Sequence, residues 1–168
     1  TLMLSFGPLL APATFYLADA NATIALAQQL AQIVCPAQNR IHLYLQGDLG
    51  AGKTAFTRAF LRALGVTGRI KSPSYALLES YKVSSFNLYH LDFYRFNDPE
   101  EWVEAGFRDI LEEDNAVVLI EWPDKAGGLL PAPDLNLFLQ YENEGRRLTI
   151  TAHSIKGQTW LKTITQNN

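Results

Sequence analysis

Cysteine is nearly absent from this chain, because Cys35 is the only one among 168 residues. A lone cysteine excludes an internal disulfide and predicts a reducing compartment such as the cytoplasm. Long hydrophobic runs are also missing, since no apolar stretch approaches the roughly 20 residues that a membrane-spanning helix needs. The apolar segment 1–17 is interrupted by Gly7, Pro8 and Pro12 and has no basic leader, so we expect no secretory signal. These absences favour an ordinary cytoplasmic globular protein.

An excess of positive charge is missing as well. The formal net charge is −3, which argues against a protein that grips nucleic acid by itself. The charge is uneven: six basic residues and one acidic residue lie between Arg40 and Lys71, whereas eleven acidic residues lie between Asp92 and Asp124. In the basic stretch, Arg58 and Arg62 are one helical turn apart. They form either a surface for a partner or a phosphate, or a solvated helix face.

The strongest pattern in the chain is the octapeptide GDLGAGKT from Gly47 to Thr54, which fits the phosphate-binding motif G-x-x-x-x-G-K-T. Its three glycines allow a backbone with positive φ to approach phosphate closely. Lys53 can reach the β and γ phosphates, and the Thr54 hydroxyl can bind a Mg²⁺ ion that bridges them. We expect ATP or ADP to contact Asp48, Leu49, Gly50, Ala51, Gly52, Lys53, Thr54 and Ala55.

The residues on either side of the motif agree with this interpretation. The run 41–45 before it is typical of a strand, and the segment 55–64 after it has helical periodicity. Gly65 stands where a helix often ends on a left-handed residue. A strand, a loop and a helix in this order are what a phosphate-binding loop needs, whereas a glycine turn without a ligand needs neither neighbour. We therefore predict nucleotide binding.

The rest of the chain predicts a single α/β domain whose sheet mixes parallel and antiparallel strands and is flanked by helices. We expect a loosely attached tail at residues 1–13 and one domain at residues 14–168. The run 116–120, the most hydrophobic of the chain, predicts a central strand buried on both faces. The other predicted elements, in chain order, are a helix from an N-cap within 19–23 to Pro36, a hairpin of 75–83 and 86–91, a helix starting at Asp98, a helical turn at 107–111, and a hairpin of 135–141 and 147–152.

Two acidic residues follow predicted strands, where ligands of open α/β sheets lie. Glu121 directly follows the strand 116–120, the usual place of a carboxylate that holds Mg²⁺ in phosphate-loop proteins. Most of those proteins have Asp there, and the alternative is a carboxylate that caps the turn before Pro123. Asp92 follows the strand 86–91, where it either orients a water or an acceptor hydroxyl toward the γ-phosphate or only caps the strand.

The neighbours of Asp92 leave further alternatives open. Arg95 either pairs with Asp92 or faces the phosphates, and His90 is expected to pack or to hydrogen-bond locally. Three aromatic residues are expected to belong to the core, namely Phe93, Tyr94 and Phe96.

Five motifs in this order, GDLGAGKT, SPSY, HLDFYR, DPEE and LIEWP, resemble the bacterial TsaE (YjeE) family of ATPases in tRNA threonylcarbamoyladenosine biosynthesis. The resemblance runs from about Asp19 to Arg147. It implies a cytoplasmic, Mg²⁺-dependent ATPase that assists the partner proteins TsaD and TsaB, which install threonylcarbamoyl on an adenosine of ANN-decoding tRNAs. It leaves open whether the protein touches the tRNA, directly or through its partners.

The same resemblance assigns roles to single residues. It implies that Thr54 and Glu121 bind Mg²⁺ and that Asp92 is important for hydrolysis, so that Lys53 and Asp92 are the candidate catalytic residues. The segment Ser72-Pro73 corresponds to a switch-like loop of the family.

Three more residues match the family outside the central motifs. Trp122 corresponds to the family tryptophan beside the metal carboxylate, Ala20 to a position near the adenine, and Arg146 to an arginine near the nucleotide. Ser74 stands where family members commonly have Thr, which keeps the hydroxyl.

Two other function classes compete with a partner-dependent ATPase. Small-molecule kinases of this size also combine a phosphate loop with an Asp near an acceptor hydroxyl, but they normally close a basic lid over the phosphates. Between Asp109 and Gly145 the only basic residue is Lys125, so such a lid is missing from that stretch. The third class is a nucleotide-binding regulatory module without turnover.

Overall fold

The computed structural model describes residues 10–34, 40–48, 50–71, 73, 78–83, 85–95 and 106–168. Within these ranges no helix is both long enough and apolar enough to cross a membrane. The elements in chain order are β1 (Ala13–Leu17), α1 (Ala20–Val34), β2 (Ile41–Gly47), α2 (Lys53–Ala63), β3 (Leu78–Val83), β4 (Phe86–Asp92), α3 (Phe107–Glu112), β5 (Ala116–Glu121), a 3-10 helical segment (Pro123–Leu129), β6 (Leu135–Glu142), β7 (Gly145–Ala152) and α4 (Ile155–Gln166).

The seven strands form one mixed sheet in the order β1-β7-β6-β2-β5-β4-β3. The four central strands β6, β2, β5 and β4 run parallel to one another. The hairpin β3–β4 adds an antiparallel strand at one edge, and β7 and β1 add two at the other. The predicted fold class is therefore confirmed.

The strand β5 is buried along its whole length because its side chains pack into two separate hydrophobic cores. Val117 and Leu119 point to one face, where they join residues of α1, α2 and α4. Val118 and Ile120 point to the other face, where they join residues of α3 and the 3-10 segment. Since alternate side chains of a strand project to opposite faces, an unbroken apolar run is what a strand between two helical layers requires. The predicted central strand is confirmed.

The helices begin and end where the sequence supplies local signals. The side chain of Asp19 accepts a hydrogen bond from the Ala22 amide at 2.9 Å, as an N-cap residue does. Helix α2 begins directly after the glycine-rich loop, and its chain leaves the helix through Gly65, which has a φ of 113°. Glycine residues therefore mark both the start and the end of α2.

Both predicted hairpins are confirmed, with β3 paired to β4 and β6 paired to β7. The expected helical turn at 107–111 is α3. Three elements were missed: β1, which pairs with β7, the 3-10 segment Pro123–Leu129, and α4, which packs against α1. Strand β1 starts at Ala13, one residue before the expected start of the domain. The predicted helix start at Asp98 lies outside the described residues, as do Ser72, Ser74, Phe96 and Leu49.

Candidate nucleotide-binding site

The parallel strands β2, β5 and β4 end side by side at one edge of the sheet. In the register of the sheet, Glu121 at the end of β5 lies opposite Asp92 of β4 and opposite Leu45 of β2. Glu121 and Asp92 share the strand face of Leu119 and Leu88, which is the face covered by α2. The two predicted carboxylates are thus brought together beside the start of α2.

The phosphate-loop motif connects β2 to α2 in a turn that needs glycine. Gly47, Gly50 and Gly52 have φ angles of 151°, 79° and 103°, as the sequence predicts. A Cβ atom on Gly50 would come within 2.6 Å of the Tyr141 hydroxyl, so both the backbone angle and the space favour glycine. The amide of Ala51 closes the turn by donating to the carbonyl of Asp48 at 3.0 Å.

The first turn of α2 has no side-chain cap, because Gly52 occupies the N-cap position. Its amides and the positive end of the helix dipole therefore face the loop rather than a capping oxygen. Lys53, Thr54 and Ala55 of this turn line a cleft. This arrangement suits an anion at the start of the helix.

Lys53 is a buried cation, with 7% of the residue exposed. Its Nζ donates to the carbonyl of Gly47 and lies 4.3 Å from the ring centroid of Trp122. Burial lowers the pKa of Lys53, while the negative charges of Glu121 and Asp92 act in the opposite direction. The ammonium group is thus held beside the phosphate loop in a site where an added phosphate would compensate its charge.

Glu121 is buried and hydrogen-bonded to His90, whose Nε2 lies 2.7 Å from Glu121 Oε2. The expectation that His90 hydrogen-bonds locally is confirmed, although its partner is a candidate metal ligand. Trp122, the next residue, has a left-handed backbone with φ 56°. This turn places the ring of Trp122 back over Lys53, so the tryptophan becomes a wall of the cleft.

Asp92 ends β4, which β5 separates from β2 and its phosphate loop. One of its carboxyl oxygens accepts from the Tyr94 amide at 2.9 Å. Burial raises the pKa of the Asp92 carboxyl, and the negative charge of Glu121 adds to the rise. A carboxylate with a raised pKa lies closer to the range in which it can accept a proton during a reaction.

Together these groups enclose a cleft of about 490 Å³. Its walls combine backbone of the loop and of α2 with charged and aromatic side chains. They are Gly50, Gly52, Lys53, Thr54, Ala55, Arg58, Asp92, Tyr94, Glu121 and Trp122.

Arg146 reaches the loop from the β6–β7 hairpin. Its Nη2 lies 3.4 Å from the carbonyl oxygen of Gly50, and its guanidinium stacks on the ring of Tyr141 at 4.2 Å. In β1, Leu17 pairs with Arg146, which brings the chain leading into Ala20 to the same corner of the molecule. The two positions implied for nucleotide contact outside the central motifs therefore lie near the loop, and their contact with a nucleotide stays a prediction.

Two further residues line the cleft: Tyr94 was not predicted there, whereas for Arg58 a surface for a partner or a phosphate was one of two alternatives. Tyr94 was expected in the core, but 44% of it is exposed and its ring lies 5.0 Å from that of Trp122. The prediction is correct for Phe93, which is fully buried. Because Phe93 points into the core, its neighbour Tyr94 leaves the sheet on the cleft side. Arg58 lines the cleft one turn after Thr54, whereas Arg62 donates to the Val66 carbonyl at the end of α2.

A profile of the family described as "Threonylcarbamoyl adenosine biosynthesis protein TsaE" matches residues 17–149. The "tRNA threonylcarbamoyladenosine biosynthesis protein TsaE" of Haemophilus influenzae is 37% identical over 147 residues, which cover 86% of this chain and 92% of the relative. The protein of the same name from Rickettsia felis is 42% identical over 127 residues, covering 75% of this chain and 71% of the relative.

A solved structure is also similar. The crystal structure of YdiB from Bacillus subtilis superposes with a TM-score of 0.77 at 25% sequence identity, and the match covers 96% of this chain and 99% of the other. The sequence profile, the relatives and the fold agree with the resemblance found in the motifs. This chain belongs to the TsaE family of threonylcarbamoyl adenosine biosynthesis proteins.

Proposed function

We propose that this protein binds Mg²⁺·ATP in the cleft at the carboxyl ends of β2, β4 and β5 and hydrolyses it in support of threonylcarbamoyladenosine formation on tRNA. The observation that carries the proposal is the convergence of Lys53, Thr54, Asp92 and Glu121 on a single cleft. These four residues come from three elements separated in the chain. A merely structural turn at the glycines would not require the two carboxylates to face it.

The phosphates are bound by the loop and by α2. The amides of the uncapped first turn donate to phosphate oxygens, and Lys53 neutralises charge on the β and γ phosphates. The rings of Trp122 and Tyr94, 5.0 Å apart, form one wall of the cleft and would exclude water from a phosphate bound there. Lys53 must then exchange the carbonyl of Gly47 for a phosphate oxygen, which is a short movement of a flexible side chain.

The donor atoms of the site fit Mg²⁺, which prefers oxygen ligands and keeps several waters. Thr54 supplies a hydroxyl and Glu121 a carboxylate. In the described part of the chain, no group of three or more His, Cys, Asp or Glu side chains is arranged to hold a metal alone. This suits an ion that takes its remaining ligands from phosphates and water. When bound, Mg²⁺ draws charge from the β and γ phosphates and so assists cleavage between them.

Asp92 acts on the attacking water in this proposal. Its position beside Glu121 places it at the side of the cleft away from the loop, and its raised pKa favours acceptance of a proton. The hydrogen bond from the Tyr94 amide fixes one of its oxygens. The other oxygen can then orient the water toward the γ-phosphate.

We further propose that the isolated protein turns over slowly and that TsaD-type and TsaB-type proteins of the cytoplasm accelerate it. Phosphoryl transfer depends on cations near the γ-phosphate, and an arginine supplied by a partner can raise the rate by about 10³–10⁵. In this cleft two carboxylates offset Lys53, and Arg58 is the only arginine among its described lining residues. Arg146 is already engaged with the carbonyl of Gly50. A partner that adds positive charge would complete the site.

Steady-state phosphate release from ATP tests the proposal. It is measured for the protein alone, with the TsaB–TsaD pair, and with the pair and tRNA. We expect slow release alone and an acceleration of at least about 10-fold with the pair. Lys53→Ala is the control, and it should abolish release in every arm because the β and γ phosphates lose their cation. Turnover of the lone protein at ~10 s⁻¹, a typical enzyme rate, with no effect of the pair would refute partner dependence. No release under any condition would refute hydrolysis.

A further inference from the structure

The carboxyl group of Glu121 lies between two cavities. One is the nucleotide cleft, and the other is a small cavity behind it that is also lined by Thr57, Ile70, Lys71 and His90. Glu121, Thr54 and Arg58 border both cavities. The orientation of the carboxylate toward the cleft therefore depends on what holds it from the small cavity.

His90 holds it from that side. The Nε2 atom of His90 lies 2.7 Å from Glu121 Oε2, and only 5% and 12% of the two side chains are exposed. The other ring nitrogen, Nδ1, is buried and has no hydrogen-bond partner within the described residues. A proton on Nδ1 would leave a buried donor unpaired, so the proton of the ring belongs on Nε2, where it is donated to Glu121.

His90 is held within the sheet by backbone pairing. It lies in the middle of the β4–β5 ladder, where it pairs with Leu119, two residues before Glu121. His90 does not line the nucleotide cleft, whereas its hydrogen-bond partner Glu121 does. Its hydrogen bond to Glu121 is therefore the direct link from His90 to a residue of that cleft.

We propose that His90 is a positioning residue that binds Oε2 of Glu121 from behind and thereby leaves Oε1 directed at the metal position beside Thr54. A second partner that orients a metal-binding carboxylate commonly changes metal affinity by 10–100-fold. This inference rests on the proposed Mg²⁺ site and adds a residue that the motif G-x-x-x-x-G-K-T does not contain. It assigns the histidine of HLDFYR a role separate from that of the aspartate two residues later.

The test measures nucleotide affinity by titration calorimetry, without activity, at a series of Mg²⁺ concentrations and in the presence of a chelator. His90→Leu removes the donor, and His90→Gln is the matched control because its Nε2 lies the same number of bonds from Cα. We expect His90→Leu to raise the Mg²⁺ concentration for half-maximal tightening about 10-fold. Affinity in chelator should change less than 2-fold, and His90→Gln should recover most of the loss. An unchanged Mg²⁺ requirement in His90→Leu overturns the proposal.

A double-mutant comparison separates this proposal from the metal site itself. Glu121→Gln should raise the Mg²⁺ requirement, and adding His90→Leu to Glu121→Gln should have little further effect because both act through one carboxylate. If Glu121→Gln changes nothing, the metal site fails and the role of His90 fails with it. If Glu121→Gln has its effect and His90→Leu adds its full effect on top, only the role of His90 fails.

A measurement on the unmutated protein tests the proposal without depending on whether the variants fold. Nitrogen-15 spectra of the His90 ring should show the proton on Nε2, and the Nε2 signal should move more on addition of Mg²⁺ with nucleotide than on addition of nucleotide alone. A proton found on Nδ1 with a bare Nε2 overturns the proposal.

Discussion

The two ends of β2 both carry buried polar side chains, but they satisfy them in different ways. At the amino end, Asp134 accepts from the His42 amide at 2.8 Å and from the Ser154 hydroxyl at 2.6 Å. Ser154 in turn accepts from the Gly157 amide at 3.0 Å and caps α4. Both carboxyl oxygens of Asp134 thus have partners supplied by the fold, so Asp134 fixes how β2, β6 and α4 join.

At the carboxyl end of β2, Glu121 is bound by the side chain of His90, whereas Lys53 and Asp92 bind backbone groups. Burial displaces the pKa of Lys53 downward and that of Asp92 upward. Lys53 binds a backbone carbonyl rather than either neighbouring carboxylate. Charged groups whose pKa values are displaced by burial in a cleft are typical of functional sites. The comparison teaches that the buried carboxylate at the amino end joins elements of the fold, whereas those at the carboxyl end line a cleft that can admit a ligand.

Replacing Asp92 should have the largest effect on turnover. It should also show most clearly that the two ends of β2 have different roles. Asp92→Asn should lower turnover by about 10²-fold, the usual scale for a positioned acid or base, and leave ADP affinity within a few-fold. Steady-state phosphate release and titration calorimetry check these two expectations. Wild-type turnover in the variant would reduce Asp92 to a strand cap.

The same substitution should stabilise the free protein at neutral pH. The folded pKa of Asp92 is raised above its unfolded value, so folding favours the protonated carboxyl. That contribution is present below the unfolded pKa, near 4, and is lost as the pH rises through the folded pKa. Asn is never charged, so Asp92→Asn should melt about 1–3 °C higher than wild type at pH 7. The difference should shrink as the pH approaches 4, and a variant that melts lower at pH 7 would contradict this sign.

Replacing Asp134, in contrast to replacing Asp92, should destabilise the protein. Asp134→Ala leaves the His42 amide and the Ser154 hydroxyl without their acceptor in a buried place, and it should lower the free energy of unfolding by about 2 kcal/mol. Urea unfolding measures this loss. Asp134→Asn is the control, because its side-chain amide oxygen can still accept one of the two hydrogen bonds. Nucleotide affinity should stay within 2-fold of wild type, and a larger change would show that the two ends of β2 are coupled.

The sequence was sufficient for the central part of the fold and for the core of the site. The run 116–120 could be identified as a buried strand because both its faces are apolar, and the loop 47–54 because its glycines and Lys53 serve one chemistry. Glu121 and Asp92 could be placed in the site because parallel strands end at a common edge. Each of these features is local, or follows from a rule about sheets.

The features that were missed depend on contacts between distant segments. Strand β1 is short, and it exists because β7 offers it an edge. Helix α4 has a capping serine and apolar residues at Trp160, Leu161 and Ile164, a signal that could have been recognised from the sequence. The exposure of Tyr94 and the bond between His90 and Glu121 could not be, because both depend on how β4 and β5 pack against the start of α2.

Replacing Thr54 should give the smallest effect and should sharpen the comparison within the carboxyl end itself. Lys53 and Thr54 are adjacent, yet Lys53 is proposed to bind the phosphates and Thr54 the metal ion. Thr54→Ala should weaken Mg²⁺·ADP binding about 10-fold, at the lower end of the ~1.5–3 kcal/mol that a hydrogen bond to a charged group contributes, and should leave metal-free ADP binding nearly unchanged. Thr54→Ser keeps the hydroxyl and should bind as wild type does. The ring of Trp122, 4.3 Å from Lys53 Nζ, supplies a fluorescence readout beside calorimetry. Equal losses for Thr54→Ala with and without Mg²⁺ would remove Thr54 from the metal site, because a metal ligand acts only when the metal is present.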